Sequence, residues 1–130
     1  MPWWPFRRPR PTPQPPPRRH PRGRPFPTRD DVWVRSLGEQ RVADFLSRRG
    51  VPYEYEPRVE GLRPDFLLPE HRIIIEYWGG AGFPRYAARM AEKTARYEAA
   101  GYRVVHLVPL HLRELERVLD GELRRSGVFD

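Results

Sequence analysis

Residues 63–78 decide the fold, and they read Arg63-Pro64-Asp65-Phe66-Leu67-Leu68-Pro69-Glu70-His71-Arg72-Ile73-Ile74-Ile75-Glu76-Tyr77-Trp78. Two runs rich in apolar residues flank a Pro-Glu pair that is typical of the middle of a tight turn. Runs of this length and composition favour β-strands. The sequence therefore predicts a hairpin whose strands are residues 62–68 and 72–78.

The register of this hairpin brings two acidic residues together. With a two-residue loop, Leu68 faces His71 and Asp65 faces Ile74, so Glu76 is the diagonal neighbour of Asp65 on one face, with α-carbons roughly 7–8 Å apart. Two such carboxylates can share a hard cation, and Mg²⁺ takes one or two carboxylates together with water and phosphate oxygens. A pair of surface acids is the alternative. It fits less well, because a charge in so apolar a strand is costly unless it is paired or metal-bound.

A helix is predicted before the hairpin. Ser36 and Glu39 have the spacing of a capping box at its start, and Gly50 is a typical residue at its end. The spacing of apolar residues between these points indicates one buried face, which consists of Leu37, Val42, Phe45 and Leu46.

The remaining periodicities complete an α/β domain. Four more elements are predicted: a half-exposed strand at 51–57, a helix at 84–101, an apolar interior strand at 102–108 and an amphipathic helix at 111–123. The order is αβββαβα. It predicts a mixed four-stranded sheet flanked by helices.

The first 30 residues differ in composition from the rest. They hold 11 of the 17 prolines and eight arginines against the single acid Asp30, and so carry the whole net charge of +7. Proline this dense leaves few backbone donors, which predicts a disordered arm over 1–30 and one domain over 31–130. The arm arginines are candidates for contacts with nucleic-acid phosphates: Arg7, Arg8, Arg10, Arg18, Arg19, Arg22 and Arg24.

Other sequence features limit the cellular compartments and the kinds of partner that are expected. The chain has no cysteine, which excludes disulfides and thiolate metal sites and is compatible with the cytoplasm. It has no apolar run long enough for a signal peptide or a membrane span, so no membrane association is expected. Motifs such as Pro13-x-x-Pro16 leave open that the arm is a proline-rich ligand of a partner protein.

Lys93 is the only lysine among 24 basic residues. Its ammonium is a compact point charge, whereas arginine is a planar fork that stays protonated. On the helix at 84–101 it shares a mostly apolar stripe with Tyr86, Met90 and Tyr97. A cation on such a stripe needs a carboxylate partner, so we expect a functional role and not a chance survivor on a solvated face.

These motifs resemble the PD-(D/E)XK nuclease superfamily. The resemblance covers about residues 36–120 and implies a restriction-endonuclease-like αβββαβ core. The motifs are more narrowly similar to nuclease-like segments attached to some superfamily I helicases, and more distantly to very short patch repair endonucleases. The stretches that carry it are Arg63-Pro64-Asp65-Phe66, Ile75-Glu76-Tyr77-Trp78-Gly79 and the stripe that contains Lys93.

The resemblance implies metal-dependent phosphodiester hydrolysis with Mg²⁺ or Mn²⁺. Asp65 and Glu76 would be metal ligands, the backbone carbonyl of Tyr77 a third ligand, and Glu39 a ligand through water. DNA is favoured as the substrate, and a helicase or a repair protein is a candidate partner. Arg89 is a candidate to hold a neighbouring phosphate, and a solvated arginine is an equally good interpretation.

One position departs from the family pattern. The family lysine should stand two residues after Glu76, where this chain has Trp78. Either Lys93 supplies the missing ammonium from the following helix, which we favour, or the domain is an inactive module that binds nucleic acid. Trp78 is expected in the core, with stacking on a base as the alternative, and His71 and His106 are expected to be structural.

Overall fold

The computed structural model describes residues 22–78 and 84–129. The predicted α/β class and the order αβββαβα are confirmed, and a short strand pair precedes them. The elements are β1 (Phe26–Pro27), β2 (Trp33–Val34), α1 (Leu37–Arg48), β3 (Glu54–Tyr55), β4 (Phe66–Leu68), β5 (Ile73–Tyr77), α2 (Pro84–Ala99), β6 (Arg103–Leu107), a 3₁₀ segment (Pro109–Glu114) and α3 (Leu115–Arg125).

The main sheet has four strands in the order β3-β4-β5-β6. The first three are antiparallel, and α2 crosses over to place β6 parallel to β5. The prediction that β6 is interior was wrong, since it lies at an edge of this sheet. Its apolar composition has another cause: Val105 and Leu107 pack on one face of the sheet and Val104 on the other. Helices on both faces of the sheet, as in parallel units, bury such a strand although it has a neighbouring strand on one side only.

The predicted hairpin forms, but in a different register. Phe66 pairs with Ile75 and Leu68 with Ile73, so the predicted facing of Leu68 with His71 was wrong. The connection has four residues and not two. A backbone hydrogen bond of 3.2 Å still closes the turn from His71 to Leu68.

The extra loop residues have a local cause. Arg72 adopts φ 53°, a left-handed conformation, and this delays the start of pairing by two positions relative to the prediction. A shift by an even number of residues keeps each side chain on its predicted face. Extending the register places Asp65 directly opposite Glu76, where the prediction had Asp65 opposite Ile74.

Alternation along β4 and β5 divides the core in two. Phe66, Leu68, Ile73 and Ile75 pack with α1 and α3 in the larger cluster. The intervening Leu67 and Ile74 pack with Tyr97 of α2 in a smaller one. Because side chains alternate across a strand, the acids at 65 and 76 belong to the α2 side.

Helix α1 begins as its sequence predicts. The Ser36 hydroxyl accepts from the Glu39 backbone N–H at 3.1 Å, and Gly50 follows the helix with φ 69°. Leu37 is 57% exposed and was wrongly placed on the buried face. Helical steps of three and four put it on the same side as Arg41 and Asp44, away from the sheet.

The last helix starts later than predicted. Residues predicted as its first turn belong to the 3₁₀ segment, and α3 buries Leu115, Leu119 and Leu123 against the larger cluster. None of the described helices is long and apolar enough to cross a membrane.

The described residues begin upstream of the predicted domain boundary at residue 31. Strand β1 lies within the predicted arm and pairs with β2, and the Pro27 carbonyl accepts a hydrogen bond from Gln40 of α1 at 2.6 Å. Arg29 donates its backbone N–H to Asp44 at 2.9 Å. Residues 1–21, with the candidate arginines Arg7, Arg8, Arg10, Arg18 and Arg19, lie outside the described residues.

Candidate active site

A cavity of about 690 Å³ lies where four elements meet. These are the start of α1, the start of β4, the end of β5, and α2. All the acids predicted for the site line it, together with the lone lysine, so the structure brings these residues together. The residues around the cavity are Arg35, Ser36, Glu39, Glu56, Arg63, Asp65, Glu76, Tyr77, Trp78, Tyr86 and Lys93.

Asp65 and Glu76 form a buried carboxylate pair. They are 6% and 4% exposed. The Asp65 backbone N–H donates to Glu76 Oε1 at 2.9 Å, and the Tyr77 N–H donates to Asp65 Oδ2 at 2.7 Å. Each carboxylate is therefore held by the backbone of the opposite strand, and the two groups are fixed side by side.

This arrangement raises the pKa of both acids. Burial is the main reason for Asp65, and the Glu76 charge adds to it, whereas the Tyr77 N–H lowers the Asp65 pKa. Burial also raises the pKa of Glu76, against the opposing effects of the Asp65 N–H and then the Lys93 ammonium. Two buried negative charges at one place favour a proton or a cation between them.

Arg35 supplies a cation on the Asp65 side of this pair, and sequence reasoning did not find it. Its Nη2 lies 2.7 Å from Asp65 Oδ1 and 3.1 Å from Glu39 Oε2, and its Nε lies 3.0 Å from Glu56 Oε2. One guanidinium thus contacts three carboxylates. No sequence signal separates Arg35 from the other arginines, because its partners come from 4, 21 and 30 positions further along the chain.

Glu39 is buried at the start of α1 and faces the same guanidinium. Its Oε1 accepts from the Arg35 backbone N–H at 3.0 Å and from the Tyr55 hydroxyl at 2.9 Å. In a complete capping box this carboxylate would bind the N-cap backbone N–H, but here it binds the residue before it. Burial and the Glu39 charge raise the pKa of Tyr55, so this phenol stays a donor.

Lys93 lies half-buried on α2 with its Nζ 5.6 Å from the centre of the Trp78 ring. The contact is a cation–π interaction at the outer part of its usual range. The lone lysine is therefore close to Trp78, the position at which the sequence resemblance predicts a lysine.

Trp78 is buried, and its indole N–H donates to His106 Nδ1 at 2.8 Å. Because Nδ1 accepts, the neutral ring carries its proton on Nε2, which lies 3.1 Å from the Thr94 hydroxyl. Burial lowers the pKa of His106 and so favours this neutral form. These contacts agree with a structural role for His106, and His71 lies exposed in the hairpin turn.

The remaining described candidates lie outside the cavity. Arg24 stacks on the Tyr55 ring at 5.0 Å and forms an ion pair with Glu56, so it borders the cluster of carboxylates. Arg22 and Arg89 are exposed and are not among the residues around the cavity.

The donor set suits a hard dication, which takes oxygen ligands. Among the described residues no three Asp, Glu or His side chains form a ready-made set around one point, so the protein would supply one or two carboxylates and water the rest. The Tyr97 hydroxyl is buried and has no hydrogen-bond partner within the described part of the chain. Burial and the charges of Glu76 and Asp65 raise its pKa.

The fold is similar to the catalytic domain of the homing endonuclease I-Bth0305I, with a TM-score of 0.59 and 21% identity over 72% of this chain and 95% of that domain. No protein-family model matches this sequence. No curated protein matches it either. The likeness in structure shows that the chain has the fold of a nuclease catalytic domain.

Proposed function

We propose that this protein is a metal-dependent nuclease of the PD-(D/E)XK type that hydrolyses phosphodiester bonds of DNA. One observation carries the proposal: the buried Asp65–Glu76 pair and the lone lysine line one open cavity on a nuclease-type fold. A protein that needed only to fold would gain little from two adjacent buried carboxylates, because the desolvation of buried charge is costly even where the charge is paired.

In this proposal Asp65 and Glu76 hold Mg²⁺ or Mn²⁺, with Glu39 bound through water and the Tyr77 carbonyl as a third ligand. A bound dication would neutralise charge on the scissile phosphate and lower the pKa of an attacking water. The backbone N–H groups of residues 65 and 77 orient the carboxylates, so little reorganisation is needed. Lys93 places a positive charge on the Glu76 side of the cavity, where it would stabilise developing negative charge.

Nucleic acid is the partner that the charge distribution favours. The arginines of residues 1–30 would contact phosphates without regard to sequence. Their eight positive charges exceed the net charge of the whole chain, which is +7. A role beside a helicase or in repair rests on the sequence resemblance alone.

A second candidate is an inactive nucleic-acid-binding module. What favours it is Trp78, which stands in the lysine position and uses its only side-chain donor on His106. The position next to the carboxylate pair then carries no charge of its own.

Cleavage assays separate the two candidates. Supercoiled plasmid and single- and double-stranded oligonucleotides are incubated with the protein in Mg²⁺, Mn²⁺ or EDTA. We expect cleavage with either metal and none in EDTA, and its loss in Asp65→Asn and Lys93→Ala proteins. Absence of cleavage on every substrate, together with retained DNA binding, would favour the binding module.

A further inference from the structure

We infer that Arg35 is an internal counter-ion that a divalent metal ion must displace, and that it thereby sets the metal affinity of the site. The inference rests on the proposed function, since it takes the carboxylate cluster to be the metal site. It concerns a residue that the sequence resemblance did not assign.

The first argument is that the arginine and a metal ion need the same oxygen atoms. Both oxygens of Asp65 are engaged, Oδ1 by the Arg35 Nη2 at 2.7 Å and Oδ2 by the Tyr77 N–H at 2.7 Å. The same Nη2 bridges to Glu39 Oε2 at 3.1 Å. A cation bound at Asp65 Oδ1, with a bound water directed towards Glu39, would meet this nitrogen.

The second argument is electrostatic. Asp65 is nearly buried, so its charge and that of Arg35 attract strongly across a poorly screened contact. A dication at Asp65 would lie within a few ångströms of the guanidinium and repel it for the same reason. The two cations therefore compete, and the arginine weakens metal binding.

The third argument is that the Arg35 guanidinium can move away from Asp65. Its side chain is 52% exposed, although Asp65 and Glu39 are buried. Its Nε contact with Glu56 at 3.0 Å offers a position that does not involve Asp65. The backbone N–H of Arg35, which binds Glu39 Oε1, does not depend on where the side chain lies.

Titration of the metal-free protein with Mn²⁺, without nucleic acid, tests the inference. Calorimetry or the electron paramagnetic resonance of free Mn²⁺ gives the Kd. We expect Arg35→Gln to bind Mn²⁺ about tenfold more tightly than the wild type, which corresponds to roughly 1.4 kcal/mol. Arg63→Gln is the matched control, because Arg63 is an exposed arginine of the same cavity, and its Kd should stay within about twofold.

The outcomes separate this inference from the proposed function. Equal or weaker Mn²⁺ binding by Arg35→Gln would overturn the counter-ion role, provided that wild-type binding is lost in Glu76→Gln. If the wild type binds no Mn²⁺ at all, the metal site itself fails and the inference fails with it.

A measurement on the wild type covers the case in which Arg35→Gln does not fold. The assigned ¹⁵N resonance of Arg35 Nε is followed while Mg²⁺ is added. Displacement should shift this resonance and speed its exchange with water at the same Mg²⁺ concentration that shifts the backbone signals of residues 65 and 76. An unmoved Arg35 signal at saturating Mg²⁺ would contradict displacement.

Discussion

Glu76 shows what the carboxylate pair does to stability. Its pKa is raised in the folded protein, chiefly by burial, while in the unfolded chain it is about 4.3. Between the two pKa values the native state binds more protons than the unfolded state. The contribution of Glu76 to the free energy of unfolding is therefore fully present at low pH and is lost as the pH rises. A neutral side chain that keeps the hydrogen bond from the Asp65 N–H should remove this loss.

We therefore expect Glu76→Gln to have a melting temperature about 4 °C higher than the wild type at pH 8 in EDTA. In a domain of this size, a gain of roughly 1 kcal/mol in the free energy of unfolding gives a shift of this magnitude. Near pH 4 the two proteins should melt together. Thermal unfolding followed by circular dichroism from pH 4 to 8.5 measures the difference. Glu70→Gln, an exposed acid of the same hairpin, is the control, and a lower Glu76→Gln melting temperature at pH 8 would contradict the account.

Lys93 gives a kinetic prediction. Lys93→Ala should lower the cleavage rate by about 10²–10³-fold, the usual effect of removing one electrostatic stabiliser. Lys93→Arg should be strongly impaired too, because a planar fork does not place its charge as an ammonium does. Arg89→Gln, an exposed cation one turn earlier on α2, should cleave nearly as the wild type. Wild-type rates for Lys93→Ala alongside an inactive Asp65→Asn would exclude the lysine from the reaction.

A substitution at Trp78 distinguishes a role of its indole ring in the core from stacking on the substrate. Trp78→Phe keeps an aromatic ring under Lys93 but leaves His106 Nδ1 without its donor. We expect a loss of about 1–2 kcal/mol in the free energy of unfolding, measured with urea, and a modest change in the cleavage rate. Unchanged stability with a large loss of DNA binding would indicate that the indole contacts nucleic acid.

At the scale of elements, the first turn of α1 packs tightly on β5. A Cβ added at Gly38 would lie 2.3 Å from the Tyr77 ring. Gly38→Ala should cost about 1–3 kcal/mol, since the ring or the helix must move. In α3 a Cβ at Gly121 meets only the end of Arg125 at 3.5 Å, so Gly121→Ala should be neutral or stabilising, as alanine favours helix. Urea unfolding of both variants checks this, and equal effects would contradict the packing.

The hairpin shows how much could be predicted from the sequence at this scale. Apolar alternation was enough to place Asp65 and Glu76 on one face, because a register error of two positions does not change faces. The four-residue loop could not be predicted, since a left-handed Arg72 is unusual for a side chain with a Cβ. The edge position of β6 was missed because burial by helices and by strands produces the same apolar pattern.

At the scale of the whole molecule, the contacts that Arg35 makes between distant segments could not be predicted from the sequence. Arg35 joins three carboxylates through the fold and looks like any other arginine in the chain. The position of Lys93 at the cavity could be predicted, because it is the only lysine of the chain and lies on a mostly apolar helix face. The predicted boundary of the arm at residue 30 rests on proline content. Proline content does not reveal that β1, which lies within the arm, pairs with β2.

The arm gives a prediction for the whole chain. Deleting residues 1–21 removes five arginines, so the slope of log K for DNA binding against log salt should become less steep by about 4. The melting temperature should hardly change, whereas deleting 1–30 should lower it by removing β1. Salt titrations of DNA binding by the full-length and shortened proteins measure the slope. An unchanged slope would favour the proline-rich-ligand interpretation of the arm.

The central claim is that the buried carboxylate pair catalyses phosphodiester cleavage. The most direct test is the rate at which Glu76→Gln cleaves plasmid DNA in Mg²⁺, compared with the wild type and Glu70→Gln prepared in the same way. The account predicts that the wild type and Glu70→Gln cleave at similar rates, and that Glu76→Gln is folded, at least as stable at pH 8 and inactive. Equal cleavage by all three proteins, or by none of them, would contradict it.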